Sequence, residues 1–446
     1  MKSKTTIGLF LLATTFLSSP AVAATLTPTL DTIKSEAAGL SGNFALSELT
    51  GDLPAGAVEV TIGDQKYYFT PSGDDAALLA TLAGTSAGNL VASENGIFEL
   101  NGQKYGFDIA AIPDSVFEYT EGTAEDYNFT VKEADAEGNL IDKYYKINLK
   151  PENFATSKSI KWEEVSEAQK DDKDNDLSDG KVSAVIAVRL PNDQTKYFQY
   201  TYTKPDNYTV TNTRINDTLG SANVTNVVFN GISSSEGKGG AIYNTQDNRD
   251  VNINADFIGN SATFVGSAYG GVIYNDDSGI IGNITGNFIG TSSASPYFYG
   301  GVIYNDGTIG NITGDFIRNS AAASSAVSSG GAIDNRGTIG DITGNFIRNS
   351  ATSSSMSNGG AIYNRSTIGD ITGNFIGNTA GEGGAIFNSA TIGNITGDFI
   401  GNYATASGSA KGGAIYNYRG IIGDITGKFI GNYASSSNYS DYVYGG

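Results

Sequence analysis

The chain has 446 residues, 58 of them glycine, with no cysteine, no histidine and a net charge of −20. At roughly 100–200 residues per domain this length predicts two or three domains. The missing cysteines exclude disulfides, thiolate metal sites and cysteine nucleophiles, and the missing histidines exclude Ser-His-Asp chemistry. The acidic excess argues against nucleic acid as a partner, because phosphate binding needs clustered Lys and Arg. Only carboxylate- or Ca²⁺-dependent enzymes stay open.

The chain opens with a pattern that predicts a secretory signal peptide over residues 1–23. Lys2 and Lys4 form its basic start, residues 7–17 its apolar run, and Ala21-Val22-Ala23 its small-residue cleavage site. That run is too short to span a bilayer, and no later stretch approaches 18 apolar residues, so no transmembrane helix is expected. The pattern predicts export through the Sec route.

Residues 24–207 read as an acidic, β-rich domain. Between residues 25 and 221 there are 32 acidic and 16 basic residues, whereas residues 222–446 carry 15 and 9. A turn followed by Lys-Tyr recurs at Lys66, Lys104, Lys143 and Lys196, which predicts hairpin modules. The last step is longer by about the size of the acidic stretch 166–179, read as an insertion in the last module. Within that stretch Asp172, Asp174 and Asp176 alternate as in a calcium loop. Leu177 stands where such a loop needs Gly and Ser183 where it needs Glu, so a solvated loop is the favoured reading and Ca²⁺ the alternative. Residues 27–39 and 74–84 are expected to add short helices.

Residues 208–446 are a repeat array. Gly-Gly pairs fall at Gly239-Gly240, Gly270-Gly271, Gly300-Gly301, Gly330-Gly331, Gly359-Gly360, Gly383-Gly384 and Gly412-Gly413, with another at Gly445. The distance from the first Gly to the Phe of the Phe-Ile-Gly-Asn segment is 16 to 18 residues, whereas Phe to the next Gly-Gly varies from 8 to 16. Length variation is thus confined to one connection. In Ile-Thr-Gly-Asp-Phe, Ile312, Gly314 and Phe316 alternate with Thr313 and Asp315, the period of a half-buried strand. In Ala-Ile-Tyr-Asn the Ile is constant while Tyr becomes Asp334 and Phe387, so Ile is expected inward and Tyr outward. Gly-Asn and Gly-Asp steps are expected to provide positive φ at the corners. Such short strands cannot bury a face alone. Stacked Ile on Ile and Phe on Phe, they predict an all-β fold whose C-terminal part is a right-handed parallel β-helix, a pectin-lyase-like solenoid. Seven coils at strand spacing make a rod of roughly 35 Å.

The repeated polar and aromatic positions are read as structural. Asn244, Asn275, Asn305, Asn335, Asn364, Asn388 and Asn417 form one complete ladder. Its expected role is amide hydrogen bonding between coils, with tolerance of left-handed corners; carbohydrate binding is the alternative. The Phe column comprises Phe257, Phe288, Phe316, Phe346, Phe375, Phe399 and Phe429. Three residues on lie Asn260, Asn319, Asn349, Asn378, Asn402 and Asn432, with Thr291 in place of the seventh. No catalytic residue and no cofactor is assigned. A β-helix enzyme needs a non-repeating acid–base group, whereas here the carboxylates recur one per coil.

Alternating Gly-Gly-Ala-Ile/Val and Phe-x-x-Asn motifs resemble the repeats of chlamydial-type polymorphic outer membrane proteins and similar autotransporter passengers, over about residues 222–446. The resemblance implies a surface-exposed β-helix, often adhesive, carried through the outer membrane by a C-terminal β-barrel translocator. No set of ten-residue alternating strands follows Gly431, and the last residues are Tyr444-Gly445-Gly446, where an eighth unit would begin. The sequence is therefore expected to be part of a longer protein.

The expected function is that of a non-enzymatic exported surface protein, the adhesive passenger region of an autotransporter-like protein, with a host or bacterial surface glycan or protein as partner. A purely structural stalk and a degenerate polysaccharide lyase or hydrolase are the alternatives. The variable connections at residues 291–299, 320–329, 350–358 and 433–444 are the expected recognition loops, because loops carry function more often than scaffolds.

Overall fold

The structure, a computed structural model, describes residues 115–134, 140–167, 177, 179–191, 194–216, 223–249, 251–325, 327–406 and 408–436, with the backbone of strands in 22–108 and at 443–444. Residues 1–21 of the expected signal peptide 1–23, the expected helices at 27–39 and 74–84, and Asp172, Asp174 and Asp176 lie outside the described residues. Two compact units are present, Met1–Ile112 and Pro113–Gly446. Among the described residues there is no α-helix; a 3₁₀ turn lies at Pro151–Asn153.

The turn-plus-Lys-Tyr pattern marks hairpins in both units. In the first, Val58–Ile62 pairs antiparallel with Gln65–Phe69, and Phe98–Leu100 with Gln103–Asp108. Val22–Leu26, which spans the expected cleavage site, runs parallel to Val58–Ile62. In the second unit Phe129–Ala134 pairs with Leu140–Leu149, and Lys181–Arg189 with Thr195–Thr203. Lys66, Lys104, Lys143 and Lys196 all lie on the second strand of a hairpin. The acidic stretch precedes the last hairpin, joining Ile160–Val165 to Lys181–Arg189.

From residue 209 onward the chain winds as a parallel β-solenoid of about seven turns. Each coil lays its strands beside their counterparts in the next, in strict register: Ile303 on Ile333, Ile309 on Ile339, Ile312 on Ile342 and Phe316 on Phe346. The Phe rings form an unbroken stack from Phe229 to Phe429, with centroids 4.6 to 5.1 Å apart. With the Ile columns and the Ala or Val after each Gly-Gly they make one continuous dry core. Phe229 belongs to this stack although Ile232 stands where its motif would place Asn, which hid it from the spacing argument.

The first Gly of each pair has a positive φ, +59° at Gly330, and an added Cβ there would collide with the Ile333 carbonyl. Only glycine serves at such a point. Of the Gly-Asn and Gly-Asp steps, those at Gly259, Gly314, Gly377 and Gly401 have the expected positive φ, whereas Gly310 and Gly340 do not. Glycine is required there because the side-chain oxygen of the preceding coil's Asn283 or Asn311 occupies the space of a Cβ.

Both Asn columns are buried hydrogen-bonded ladders. Asn275, Asn305, Asn335 and Asn364 donate from Nδ2 to Oδ1 of Asn305, Asn335, Asn364 and Asn388 at 2.8 to 2.9 Å. Asn244 and Asn388 extend this at the ends, to Asn275 and Asn417. None of these asparagines adopts positive φ, so left-handed tolerance is not what selects them. In the second ladder Asn319, Asn349, Asn378 and Asn402 each donate to the next Asn and to the carbonyl of the preceding coil's Phe. Asn432 donates to the Phe399 carbonyl, and Asn260 to that of Phe229. Thr291 interrupts the series, and its hydroxyl is buried without a hydrogen-bond partner.

The compositional boundary near residue 207 is not a boundary of the hydrophobic core. Residues 115–203 fold into two three-stranded antiparallel sheets, and these pack onto the outer face of the solenoid sheet. Val182, Ile186 and Val188 alternate inward along one strand, Phe198, Tyr200 and Tyr202 along its neighbour. Together with Phe117, Phe154 and Trp162 they share one core with Ile258, Ile289, Ile317, Ile347, Ile376 and Ile400, the Ile after each solenoid Phe. Burying an Ile side chain is worth about 1.5–3 kcal/mol, so this column holds the lobe firmly.

Beside the Ile column runs the position expected to face outward: Asp256, Asn287, Asp315, Asn345, Asn374, Asp398 and Lys428. All but Lys428 are buried, because the lobe covers them. Each coil's Oδ1 accepts the next coil's backbone N–H, as Asp315 does from Asn345 at 2.9 Å. The second carboxylate oxygen of each Asp serves the lobe. Tyr202 donates to Asp256 at 2.7 Å, the Thr156 N–H to Asp315 at 2.8 Å, and Ser115 to Asp398 at 3.2 Å. Where the lobe presents a carbonyl, Asn appears: Asn345 donates to Phe154 at 3.2 Å. Lys428 lies over the Phe117 and Tyr119 rings. The lobe therefore contacts the solenoid from its first to its last coil.

Candidate functional site

The variable connections begin from a fixed turn. After Phe-Ile the chain turns through a left-handed residue, Gly in most coils and Arg318 and Arg348 at φ 56° in two. A non-glycine residue in that conformation costs about 1–2 kcal/mol. Arg318 interacts with the buried Tyr200 hydroxyl of the lobe, a contact glycine could not make.

Beyond the turn, what composition predicted as loops is ordered strand. Ser292–Ser295, Ser320–Ala323, Ser350–Ser353, Thr379–Ala380, Tyr403–Ala406 and Tyr433–Ser436 stack as one parallel sheet. Ser267–Tyr269, Tyr297–Tyr299, Val327–Ser329 and Met356–Asn358 stack as a second. The two sheets form a lateral fin, with Ala268, Phe298 and Ala321 as a small dry core. Ser328 ties the sheets by donating to the Ala321 carbonyl at 2.8 Å. Small Ser and Ala side chains let the sheets approach, and the flanking Phe and Gly-Gly columns pass their register into the fin.

The fin covers the Tyr column of Ala-Ile-Tyr-Asn. That column does point away from the core, but Tyr274, Tyr304, Asp334 and Phe387 are buried, where exposure was expected. Tyr269 stacks on Tyr299 at 5.2 Å and itself meets Tyr304 and Tyr274 edge-on. Burial pushes the Tyr274 and Tyr304 hydroxyls up from their ordinary range, so they stay protonated. Asp334 is accommodated because Arg336 reaches its Oδ1 at 3.2 Å and Ser329 hydrogen-bonds its other oxygen. Burial still pushes the Asp334 carboxyl up, with Arg336 opposing the shift. The Arg336 guanidinium also lies over the Tyr299 and Tyr304 rings. Asp334 and Arg336 together thus replace a Tyr in its stack.

The fin's outer end is its most exposed apolar surface. Val265 is 90 % exposed, Met356 52 %, Phe264 46 % and Tyr297 41 %. Tyr297 and Val327 occupy equivalent positions in neighbouring strands, and Val327 pairs with Met356, so these residues form a ridge. Segments 261–269, 291–299, 320–329 and 350–358 contain no charged residue in a chain of net charge −20. Such a ridge is the kind of surface that marks an interaction site.

Except in the last coil, where Phe429 and Asn417 are exposed, the Gly-Gly pairs, the Phe column and both Asn ladders are enclosed in the scaffold. Among the described residues no group of three or more acidic side chains is placed to hold a metal ion. No helix there is long and apolar enough to cross a membrane, which says nothing about β-strand membrane domains. No curated protein matches the chain, and neither does any solved structure. One protein-family model does match: the Chlamydia polymorphic membrane protein repeat, over residues 226–245. That segment runs from the first stacked Phe through the first Gly-Gly-Ala-Ile-Tyr-Asn, the structural unit the solenoid then repeats. The chain is a polymorphic outer membrane protein-like repeat protein.

Proposed function

We propose that this protein is a non-enzymatic, exported surface adhesin, the passenger region of an autotransporter-like outer membrane protein, and that the apolar ridge of the fin contacts its ligand. The Sec leader would start its export, and an outer-membrane β-barrel would complete it. The observation that carries the adhesive reading is the uncharged, apolar-tipped fin on a scaffold whose repeat is of the polymorphic membrane protein type. A stalk without a ligand has no need to keep Val265, Tyr297 and Met356 exposed. Absence of His and Cys, and carboxylates used up as coil-to-coil and lobe contacts, support a non-catalytic role.

Beads coated with the protein should adhere to host or bacterial cells, and the triple variant Val265→Ser, Tyr297→Ser, Met356→Ser should lose most of that adherence with its thermal midpoint unchanged. Equal adherence of both proteins would move the ligand surface elsewhere, and no adherence of either would favour the stalk. Release of reducing sugar from uronate polymers would overturn the non-enzymatic reading.

A further inference from the structure

The corner that follows the first Asn ladder carries a charge pattern that neither the repeat nor the adhesive reading explains. Its column runs Thr245, Asp276, Asp306, Arg336, Arg365, Ser389, Tyr418, one residue per coil. The backbone holds these positions in register. Asp276, Asp306, Arg336 and Arg365 each donate their N–H to the ladder Asn carbonyl of the preceding coil, at 2.9, 2.9, 2.7 and 2.8 Å. Four consecutive coils therefore present −, −, +, + at the even spacing of parallel strands, about 4.8 Å.

Of these four charges Arg336 is paired with the buried Asp334, and the Arg365 guanidinium lies over the Tyr363 ring at 6.0 Å. Arg365 is exposed, and Asp276 and Asp306 are half-buried; none of the three has an ion pair among the described residues. Asp276 accepts a hydrogen bond from Tyr274, and Arg336 is shared with Asp334. Asp277, exposed beside Asp276, extends the acidic half, and Arg419, exposed three coils beyond Arg336, extends the basic end. The recorded contacts of residues 115–208 fall on the solenoid sheet of the Ile and Phe columns and on the turn and strand after it, not on this corner.

We infer that this corner is a self-association surface that takes a second copy of the chain, antiparallel, about a two-fold axis between the coils of Asp306 and Arg336. Such an axis sets Asp276 opposite Arg365 of the second copy and Asp306 opposite its Arg336. Each pair occurs twice, so four oppositely charged pairs form and no charge faces its like. Parallel, unshifted copies place like charges together at every coil. A parallel shift of two coils pairs only half of them and leaves an open end. Closed two-fold symmetry is also the commonest form of self-association. Exposed ion pairs are individually weak, so the association is modest and sensitive to salt.

Sedimentation velocity of the full chain tests this. A monomer–dimer equilibrium is expected at low ionic strength and should fade near 1 M salt, where the screening length falls to about 3 Å. Asp276→Arg alone and Arg365→Asp alone should each weaken the dimer roughly 10-fold or more, since each creates two repulsions. The double reversal Asp276→Arg, Arg365→Asp should return it to within about threefold of the parent, because those two residues face each other only in the antiparallel pair. This column holds Thr, Asp, Arg, Ser and Tyr in different coils, so the fold should accept these changes, and an unchanged far-UV spectrum and thermal midpoint verify that. A monomer at every concentration and salt overturns the inference. So does a dimer indifferent to either single reversal, or one that the double reversal fails to restore. Loss of the ridge residues should leave the dimer intact, so a failed adhesion reading and a failed dimer are distinguishable.

Discussion

The solenoid and the lobe that rests on it solve the same problem in opposite ways. In the solenoid, Phe346 meets Phe316 and Phe375, and Asn335 meets Asn305 and Asn364. Each residue's partner is its own copy one coil away. In the lobe, Trp162 packs on Phe154 and Tyr200, partners of different kinds, one from a turn and one from a neighbouring strand. Repetition makes contacts readable by alignment of the chain with itself, and its loss leaves them to tertiary geometry. The Asp/Asn column lies between the two regimes: its Oδ1 obeys the repeat while its remaining atom answers to the lobe.

Four experiments would break or sharpen that contrast, with urea titration as the common assay and Trp162, the single tryptophan, as a reporter placed within the lobe. Phe346→Ala removes a fully buried ring from mid-stack and should cost about 3–5 kcal/mol. Both the far-UV signal and Trp162 fluorescence should shift together, since the lobe rests on the same coils; an unmoved far-UV midpoint would remove the stack from the account of stability.

Asp315→Asn retains the acceptor for Asn345 but sets an N–H₂ against the Thr156 N–H. A cost of about 1–3 kcal/mol is expected, the usual size for a buried donor left unpaired. It should register in Trp162 fluorescence at lower urea than in the far-UV signal. Coincident transitions would show that lobe and solenoid unfold as one body.

Filling the gap in the second ladder should work in the other direction. Thr291→Asn would supply the missing amide between Asn260 and Asn319 and should raise stability by about 1 kcal/mol. A lower midpoint would mean the site has no room for the longer side chain.

The smallest effect concerns pH. Burial pushes the Asp315 carboxyl up from its ordinary value of 3.8, as it does that of Asp256. A carboxyl whose folded pKa is raised contributes fully below its unfolded pKa, and that contribution is lost as pH rises through the folded value. The cost of Asp315→Asn should therefore be greatest in acid and shrink as pH rises through that window. A cost that grows with pH would show that an ionised Asp315 is what the lobe binds.

Much of the architecture could be read in advance because it is written seven times. Constant spacing from Gly-Gly to Phe, alternation through Ile-Thr-Gly-x-Phe and the complete Asn column pointed to stacked coils, and the Lys-Tyr steps pointed to hairpins. Three readings failed for one reason. Asp315 and Asp334 were placed at the surface because charge in a strand usually means solvent, and the variable segments were read as loops because they are Ser-rich and uneven in length. In each case the covering element is remote in sequence: residues 115–203 over one face, and strands of the fin over another.

Periodicity reports what a residue does relative to its own copies, so the inside of the solenoid could be inferred from the chain alone. It carries no information about what lies on the outside. Whether an outward position meets water, a second sheet or a fin depends on contacts between unlike segments. The tertiary structure decided those: which Asp accepts from Tyr202, Thr156 or Ser115, why Arg rather than Gly takes the left-handed turn beside Tyr200, and which apolar side chains are left exposed at the ridge.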